Sequence, residues 1–307
     1  MSISRRHVAI IGAGSVGASI AYAIMLRQLP VNISLVDVNE ETTEGQTLDL
    51  GDAEFLTPTT ISHATFQQAG QADIIVITAG AKQKPGESRE SLVARNESIM
   101  QSILHNIQPI NPNVILLIVA NPVEVLTHVA QQLSGLPKSQ VLGSGTFLDT
   151  MRLRKHLGDV FHISDLAFHC YALGEHGDRQ FIAWSCARCG PALLSTLDNY
   201  SALDKKQVEE MVRKKAYTII NLKGATYYGI GACVASLCES ILYDTKEVRC
   251  VSTWLQEYNA VVSWPVVVGA RGVEQIVPVP LDEKEMQQLK VAVQAIQDTT
   301  KQCKGCP

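Results

Sequence analysis

The sequence predicts an α/β protein in which a doubly wound parallel sheet is followed by a mixed α+β substrate lobe. Short β-branched runs alternate with helix-length amphipathic stretches through the first half, as they do when crossover helices cover both faces of a parallel sheet. A glycine-rich turn, Gly12-Ala13-Gly14-Ser15-Val16-Gly17, stands between the first strand-like run and a helix-forming stretch. From about residue 146 the pattern gives way to one long helix and then shorter strand-like segments.

In chain order the strand candidates are HVAIIGAG, ISLVDVN, TTISHATF, DIIVITAG, NVILLIVA and QVLGSG. Strands of this kind separated by helices match a nucleotide-binding (Rossmann) sheet, whose ligand crevice opens at the carboxyl ends of its strands. Beyond them TFLDTMRLRKHLG is predicted to be a helix stopping at Gly158, followed by strand-like DLAFHCYALGEHGD and RQFIAWSCARCG. A helical zone is expected over about 204 to 242, then strands through EVRCVSTWL and WPVVVGARGVEQIV. DEKEMQQLKVAVQAIQ reads as a closing amphipathic helix with acids in its first turn. The expected division is 1–145 and 146–307, two lobes packed rigidly about a cleft, with neither linker nor internal repeat.

A chain of 307 residues with 46% apolar and 18% charged side chains can bury a large core, which excludes a disordered protein. The net charge of −4 leaves no footprint for nucleic acid or an anionic membrane, so a small-molecule partner is expected. The apolar run Val114 to Ala120 falls far short of the roughly 20 residues needed to span a bilayer. MSISRRHVAIIGAGSVG carries basic residues straight into a strand, without the apolar core of a secretion signal, and the expectation is cytoplasmic residence. The eight cysteines are scattered, several in apolar stretches such as those of Cys170, Cys233 and Cys238, as small buried thiols are in a reducing compartment. Two CxxC pairs, Cys186 with Cys189 and Cys303 with Cys306, admit a zinc reading. Neither has a ribbon-like context, and the second falls in a tail expected to be mobile. No metal is therefore expected.

Gly12 suits the tight turn, Gly14 lets the backbone approach a pyrophosphate, and Gly17 permits close helix–strand packing, with free helix N–H groups facing the anion. Asp37 lies twenty positions past Gly17 at the end of the second strand, where a carboxylate accepts from a ribose 2′-hydroxyl and repels a 2′-phosphate. The cofactor expected is NAD rather than NADP.

Residues 174 to 178 read Gly-Glu-His-Gly-Asp, which places His176 on a constrained turn after an apolar strand. Imidazole has the near-neutral pKa that giving and taking one proton requires. On the preceding helix Asp149 and Arg152 are three apart and share a face. An arginine fork suits a substrate carboxylate, and an aspartate beside imidazole stabilises its charged form, although spacing alone leaves an ordinary exposed ion pair open.

In order and spacing, GAGSVG, Asp37, ITAGAKQKPGESR, VANPVEVLTH, GSGTFLDTMRLR, GEHGD and LKGATYYGIG resemble the L-lactate/malate dehydrogenase family almost end to end. The resemblance implies reversible NADH-dependent reduction of a small 2-oxo acid. It makes His176 the proton donor and acceptor, Asp149 its orienting partner, Arg152 the carboxylate clamp and Arg89 the group that polarises the carbonyl. Arg89 belongs to the segment Ala81 to Leu92, which resembles the family's mobile lid. Asn121 is implied to bond the substrate oxygen and approach the nicotinamide, with Thr226 and Ile230 as the wall behind. Ser15, Val16, Gly80, Ala81, Val119 and Ser144 are assigned to the cofactor site with the glycines. The family further implies a homotetramer, and its bacterial-type members bind fructose 1,6-bisphosphate at an interface where Arg154 and His169 match. A non-catalytic NAD-binding protein is the competing class, and the presence of all five of His176, Asp149, Arg152, Arg89 and Asn121 counts against it.

Gln83 is the residue that bears on the substrate. Family members that reduce pyruvate carry glutamine there, whereas malate enzymes usually carry arginine. A second substrate carboxylate enclosed without a partner costs several kcal/mol, and flanking Lys82 and Lys84 compensate only partly, which leaves malate as the alternative substrate. Pyruvate is expected to exceed oxaloacetate in kcat/KM by at least roughly 10²-fold, or about 3 kcal/mol, with Gln83→Arg shifting preference toward oxaloacetate. Steady-state kinetics with both acids check this, and a ratio near one contradicts it.

Overall fold

The computed structural model describes residues 6–81 and 89–303, with Arg89 described by its backbone alone. Its first half alternates strand and helix: β1 (Arg6–Ile11), α1 (Ser15–Leu26), β2 (Val31–Val36), α2 (Glu40–Gly51), β3 (Thr60–His63), α3 (Phe66–Ala69), β4 (Ile74–Ile77), α4 (Arg89–Asn106), β5 (Ile115–Ile118), α5 (Val123–Leu133) and β6 (Val141–Gly143). The second half runs α6 (Phe147–Phe161), β7 (Phe168–His169), β8 (Ala172–Gly174), β9 (Gln180–Ile182), β10 (Arg188–Cys189), β11 (Ala192–Leu193), α7 (Lys205–Lys223), α8 (Tyr228–Leu242), β12 (Glu247–Leu255), β13 (Ala260–Gly269), β14 (Gly272–Ile276) and α9 (Glu283–Thr300).

The six predicted strands of the first half pair in parallel in the order β3-β2-β1-β4-β5-β6. Strand order reverses between β1 and β4, and a ligand crevice opens at such a switch point. Side chains of β1 alternate between faces: Val8 and Ile10 join one apolar core, Ala9 and Ile11 the other. With helices on both sides, β4 and β5 are buried along their whole length, which accounts for their unbroken apolar runs.

The same sheet continues past β6 through antiparallel β12, β13, β8 and β9, with β14 on β13. Only one register pair, Ser252 with Gly143, joins β12 to β6. The two halves are also tied by α8, which contributes Cys233, Val234, Leu237 and Ile241 to the core that covers β1. A Cβ on Gly231 would stand 2.9 Å from the Ser19 carbonyl oxygen, so α8 crosses α1 almost backbone to backbone.

Four sequence expectations need correction. The helix α6 runs past Gly158 to Phe161 and ends at left-handed His162. Gly158 serves packing instead, since a Cβ there would lie 2.9 Å from the Ile163 carbonyl oxygen as the chain doubles back. The helical zone is two helices, α7 and α8, parted by left-handed Gly224 and the residues after it. DLAFHCYALGEHGD yields two strands in different sheets, β7 beside β10 and β8 beside β13. Residues 89–92 of the expected lid form the first turn of α4, while 82–88, with Gln83, lie outside the described residues.

Gly17 shows how tightly the glycine turn is built, because a Cβ there would fall 1.9 Å from the Gly12 carbonyl oxygen. The nearest obstacle is the Gly12 backbone, with the Ile10 side chain at 3.2 Å, so no flexible group stands there to yield. Gly17→Ala is expected to lower stability by about 1–3 kcal/mol and weaken NADH binding at least tenfold. Denaturant midpoints and NADH fluorescence titration measure the two effects.

Candidate active site

At the β1/β4 switch point a cavity of about 820 Å³ gathers Gly12, Gly14, Ser15, Val16, Gly17, Asp37, Gly80, Ala81 and Thr226. Its shape follows from the glycines. Gly12 adopts φ +112°, and a Cβ would strike Thr78 Oγ1 at 2.4 Å, so β1 and β4 can turn side by side only with hydrogen there. Nothing lies within 4 Å of a Cβ built on Gly14, so the backbone at the start of α1 stands open to a ligand. No side chain caps that helix end, which leaves its N–H groups for an anion. Asp37 Oδ2 accepts from the Ala13 amide at 2.7 Å and Oδ1 from the Asn39 amide at 3.1 Å, so backbone donors hold the carboxylate at the rim. An open glycine cradle at a helix N-terminus beside a fixed carboxylate is the donor set that a dinucleotide's pyrophosphate and ribose require.

His176 occupies the turn after β8, between Gly174 at φ +97° and Gly177 at φ +105°, where a residue with a side chain would be strained. The turn brings His176 Nδ1 to 2.7 Å from Asp149 Oδ2, while Arg152 Nη1 donates to Asp149 Oδ1 at 3.0 Å. Asp149 is 2% exposed and Arg152 12%, which makes this a buried triad and not a surface ion pair. The imidazole keeps 28% of its surface open, and among the described residues its Nε2 has no partner. Burial would push the imidazole pKa down, but the Asp149 charge and hydrogen bond, aided by Glu124, raise it to about 9. Burial likewise acts to raise the Asp149 carboxyl, yet the His176 and Arg152 charges and bonds hold it below the usual carboxylate range.

Other expected residues are placed as follows. Asn121 is exposed after β5, with its carbonyl oxygen accepting from Asn96 Nδ2 at 2.8 Å. Val119 and Ser144 are buried at the ends of β5 and β6, and Ile230 packs half-buried against the core. These four do not line the glycine cavity. Arg154 stacks over the Tyr171 ring at 5.0 Å and donates Nε to the Cys170 carbonyl at 3.3 Å, while His169 is exposed one residue away on β7.

Cys170, Cys233 and Cys238 are buried free thiols, each pushed up to about 12 by burial. Cys186 and Cys189 are half-buried free thiols, and no group of three or more metal-ligating side chains occurs among the described residues. The expectation of a mobile tail fails at Cys303, which is 4% exposed and belongs to the apolar core that includes Ala9 and Ile11 of β1. Cys306 lies outside the described residues.

Sequence reasoning missed several contributors. Arg95, Ser98, Ile99, Ser102 and Asn106 line the cavity from one face of α4, and their helical spacing was the available signal. Asn96, 2% exposed, exchanges hydrogen bonds with the Ala81 backbone at 2.7 and 3.3 Å, so it fastens Ala81 to the Asn121 turn. Glu124 was given no role within the VANPVEVLTH motif, although it is 1% exposed and electrostatically linked to His176.

Family models match the chain in two consecutive parts. Residues 6–143 match the NAD binding domain of lactate/malate dehydrogenase, and 146–305 match that family's alpha/beta C-terminal domain. The chain belongs to the lactate/malate dehydrogenase family. It is accordingly an NAD-dependent oxidoreductase. It is 50% identical to L-lactate dehydrogenase A of Rhizopus oryzae over 94% of this chain and 90% of that protein. With an L-lactate dehydrogenase of Clostridium botulinum (strain Loch Maree / Type A3) it shares 38% identity over 97% of both. A solved lactate dehydrogenase from a Medee basin deep-sea metagenome library superposes with a TM-score of 0.93 at 34% identity, covering 97% of this chain and 99% of that one. The minor L-lactate dehydrogenase of Enterococcus mundtii gives 0.92 at 32%, covering 97% and 98%.

With Asp37 fixed at the rim, NADH is expected to exceed NADPH in kcat/KM by at least about tenfold, or 1.4 kcal/mol. Asp37→Ser should narrow that gap, and equal turnover of both cofactors by the parent protein contradicts the assignment.

Proposed function

We propose that this chain is an L-lactate dehydrogenase catalysing the reversible NADH-dependent reduction of pyruvate, with His176 as proton donor and acceptor. The observation that carries the reading is the buried chain of bonds from Arg152 through Asp149 to His176, whose outer nitrogen is left without a protein partner among the described residues. A histidine held charged near neutral pH is ready to donate a proton to the oxygen developing on C2. Bound NADH supplies the hydride, and the protein supplies orientation and charge.

Each residue then has a definite task. Asp149 fixes the imidazole ring and, once His176 has given up its proton, keeps Nδ1 protonated so that Nε2 can accept in the reverse direction. Arg152 spends one donor on Asp149 and offers the others to the substrate carboxylate. Arg89 stabilises charge on the substrate oxygen, Asn121 bonds the same oxygen, and Thr226 with Ile230 walls the site. The segment Ala81 to Leu92 closes over the substrate, and Gln83 favours pyruvate's methyl group over a second carboxylate. In the cofactor site Gly12, Gly14, Ser15, Val16 and Gly17 take the pyrophosphate, and Asp37 takes the ribose. Gly80, Ala81, Val119, Ser144 and Ile230 take the rest of the dinucleotide.

The division at 145/146, a homotetramer and cytoplasmic residence belong to the same reading. No helix among the described residues is long and apolar enough to cross a membrane. Arg154, which donates to the Cys170 carbonyl, and His169, the neighbour of Cys170 in the chain, supply two basic groups for a sugar bisphosphate whose binding would lower the KM for pyruvate.

His176→Ala is expected to cut kcat/KM for pyruvate by about 10³-fold while leaving the NADH Kd within about twofold. In the parent protein the charged imidazole is the reactive form for reduction. Its kcat/KM should therefore stay level below a pKa of about 9 and fall tenfold per pH unit above it, while lactate oxidation rises toward the same point. NADH absorbance assays across pH test this, and oxidation that survives the substitution removes the mechanism.

A further inference from the structure

One buried carboxyl group has no task in the reaction as described. Glu124 begins the second position of α5, directly after the Asn121-Pro122 turn, and is 1% exposed. Its Oε1 accepts from Ser263 Oγ of β13 at 2.7 Å and from Ser252 Oγ of β12 at 3.1 Å. Both serines are fully buried. Ser263 Oγ in turn accepts from the Thr146 amide at 3.0 Å, at the N-cap of the helix that carries Asp149 and Arg152. Ser263 is also the register partner of Gly174, two residues before His176. The His176 charge also acts on the Glu124 carboxyl group. Through Ser263 this one side chain is linked to the start of α6 and to the register position of Gly174 on β8, and through Ser252 to β12.

We propose that Glu124 is a positioning residue for His176, its carboxylate holding the 174–177 turn against the start of α6 and facing the imidazole with a second negative charge. This deepens the reading of His176 as proton donor and rests on it. A simple joint between the two lobes would need the hydrogen bonds but not the charge, and there apolar packing or an amide would serve as well. The donors argue for a carboxylate. Ser263 Oγ uses a lone pair on the Thr146 amide and directs its own proton to Glu124 Oε1, and the Ser252 hydroxyl donates to the same oxygen. Burial pushes the Glu124 pKa up, and it stays raised although the His176 charge and the Ser263 bond pull against that. The charged groups that bear on the imidazole are Asp149 and Arg152 from α6 and Glu124 from α5, with Asp149 acting more strongly than Glu124.

The test uses full-length protein carrying E124Q, which keeps the shape and an acceptor oxygen but removes the charge. Pyruvate-dependent NADH oxidation is followed from about pH 6 to about pH 10 beside the parent and E124D. The expected result is that the alkaline limb of kcat/KM moves down by about one pH unit in E124Q and kcat falls roughly tenfold, with the NADH Kd unchanged. E124D, which restores the charge, should return the limb to within about 0.3 unit of the parent. An E124Q limb coincident with the parent's, whatever happens to thermal stability, overturns the proposal and leaves the function of His176 standing. A parent inactive with pyruvate overturns the functional reading and this inference together. Should E124Q fail to fold, Ser263→Ala keeps the charge and loosens the turn. A kcat reduced at least about threefold at constant NADH Kd then supports the positioning role, and an unchanged kcat rejects it.

Discussion

A single buried carboxylate, that of Asp149, constrains the whole active-site half of the molecule. Taking an ion out of water costs several kcal/mol unless opposite charge and hydrogen bonds replace its hydration. Asp149 finds both in His176 at 2.7 Å and Arg152 at 3.0 Å, one from the turn after β8 and one from the next turn of its own helix. The arrangement is mutual. The imidazole is held charged because the carboxylate is desolvated beside it, and the arginine is held in place by the same oxygen pair. Chemical readiness and local stability have one source here.

That triad sits where two kinds of sheet meet. The parallel half supplies the cofactor cavity at its topological switch point, where glycines allow β1 and β4 to turn within contact of each other. The antiparallel half supplies the His176 turn through β8, registered on β13. Few strand pairs connect the halves, so the join depends on α8 packed against α1 and on the buried hydroxyls of Ser252 and Ser263 around Glu124. An apolar join could slide. A polar one with directional bonds fixes the distance between the glycine cavity and His176, and the proposed hydride transfer requires that distance to be right.

The legible parts of this protein are those in which local sequence and chemistry coincide. The six parallel strands stood out because strands buried on both faces must be continuously apolar, and the cofactor turn because only glycine satisfies its backbone contacts. Asp149 and Arg152 were readable as one helix face. Helix ends were read less well: Gly158 looked like a stop yet lies inside α6, since its missing side chain answers to the chain passing at Ile163 and not to a cap. Cys303 looked like tail and is core.

By itself the sequence determined the fold class and singled out the glycine turn with Asp37 and the imidazole proposed to exchange the proton, because each is written within a short span of neighbouring residues. Only the tertiary structure decided that Asp149, twenty-seven residues from His176, bonds its ring, that α4 lines the cavity, and that Glu124 reaches serines more than a hundred residues away. The physical reason is range. Periodicity and turn chemistry report a side chain's own backbone, whereas desolvation and hydrogen bonding in a buried site depend on groups that the chain brings together only when the sheet is complete.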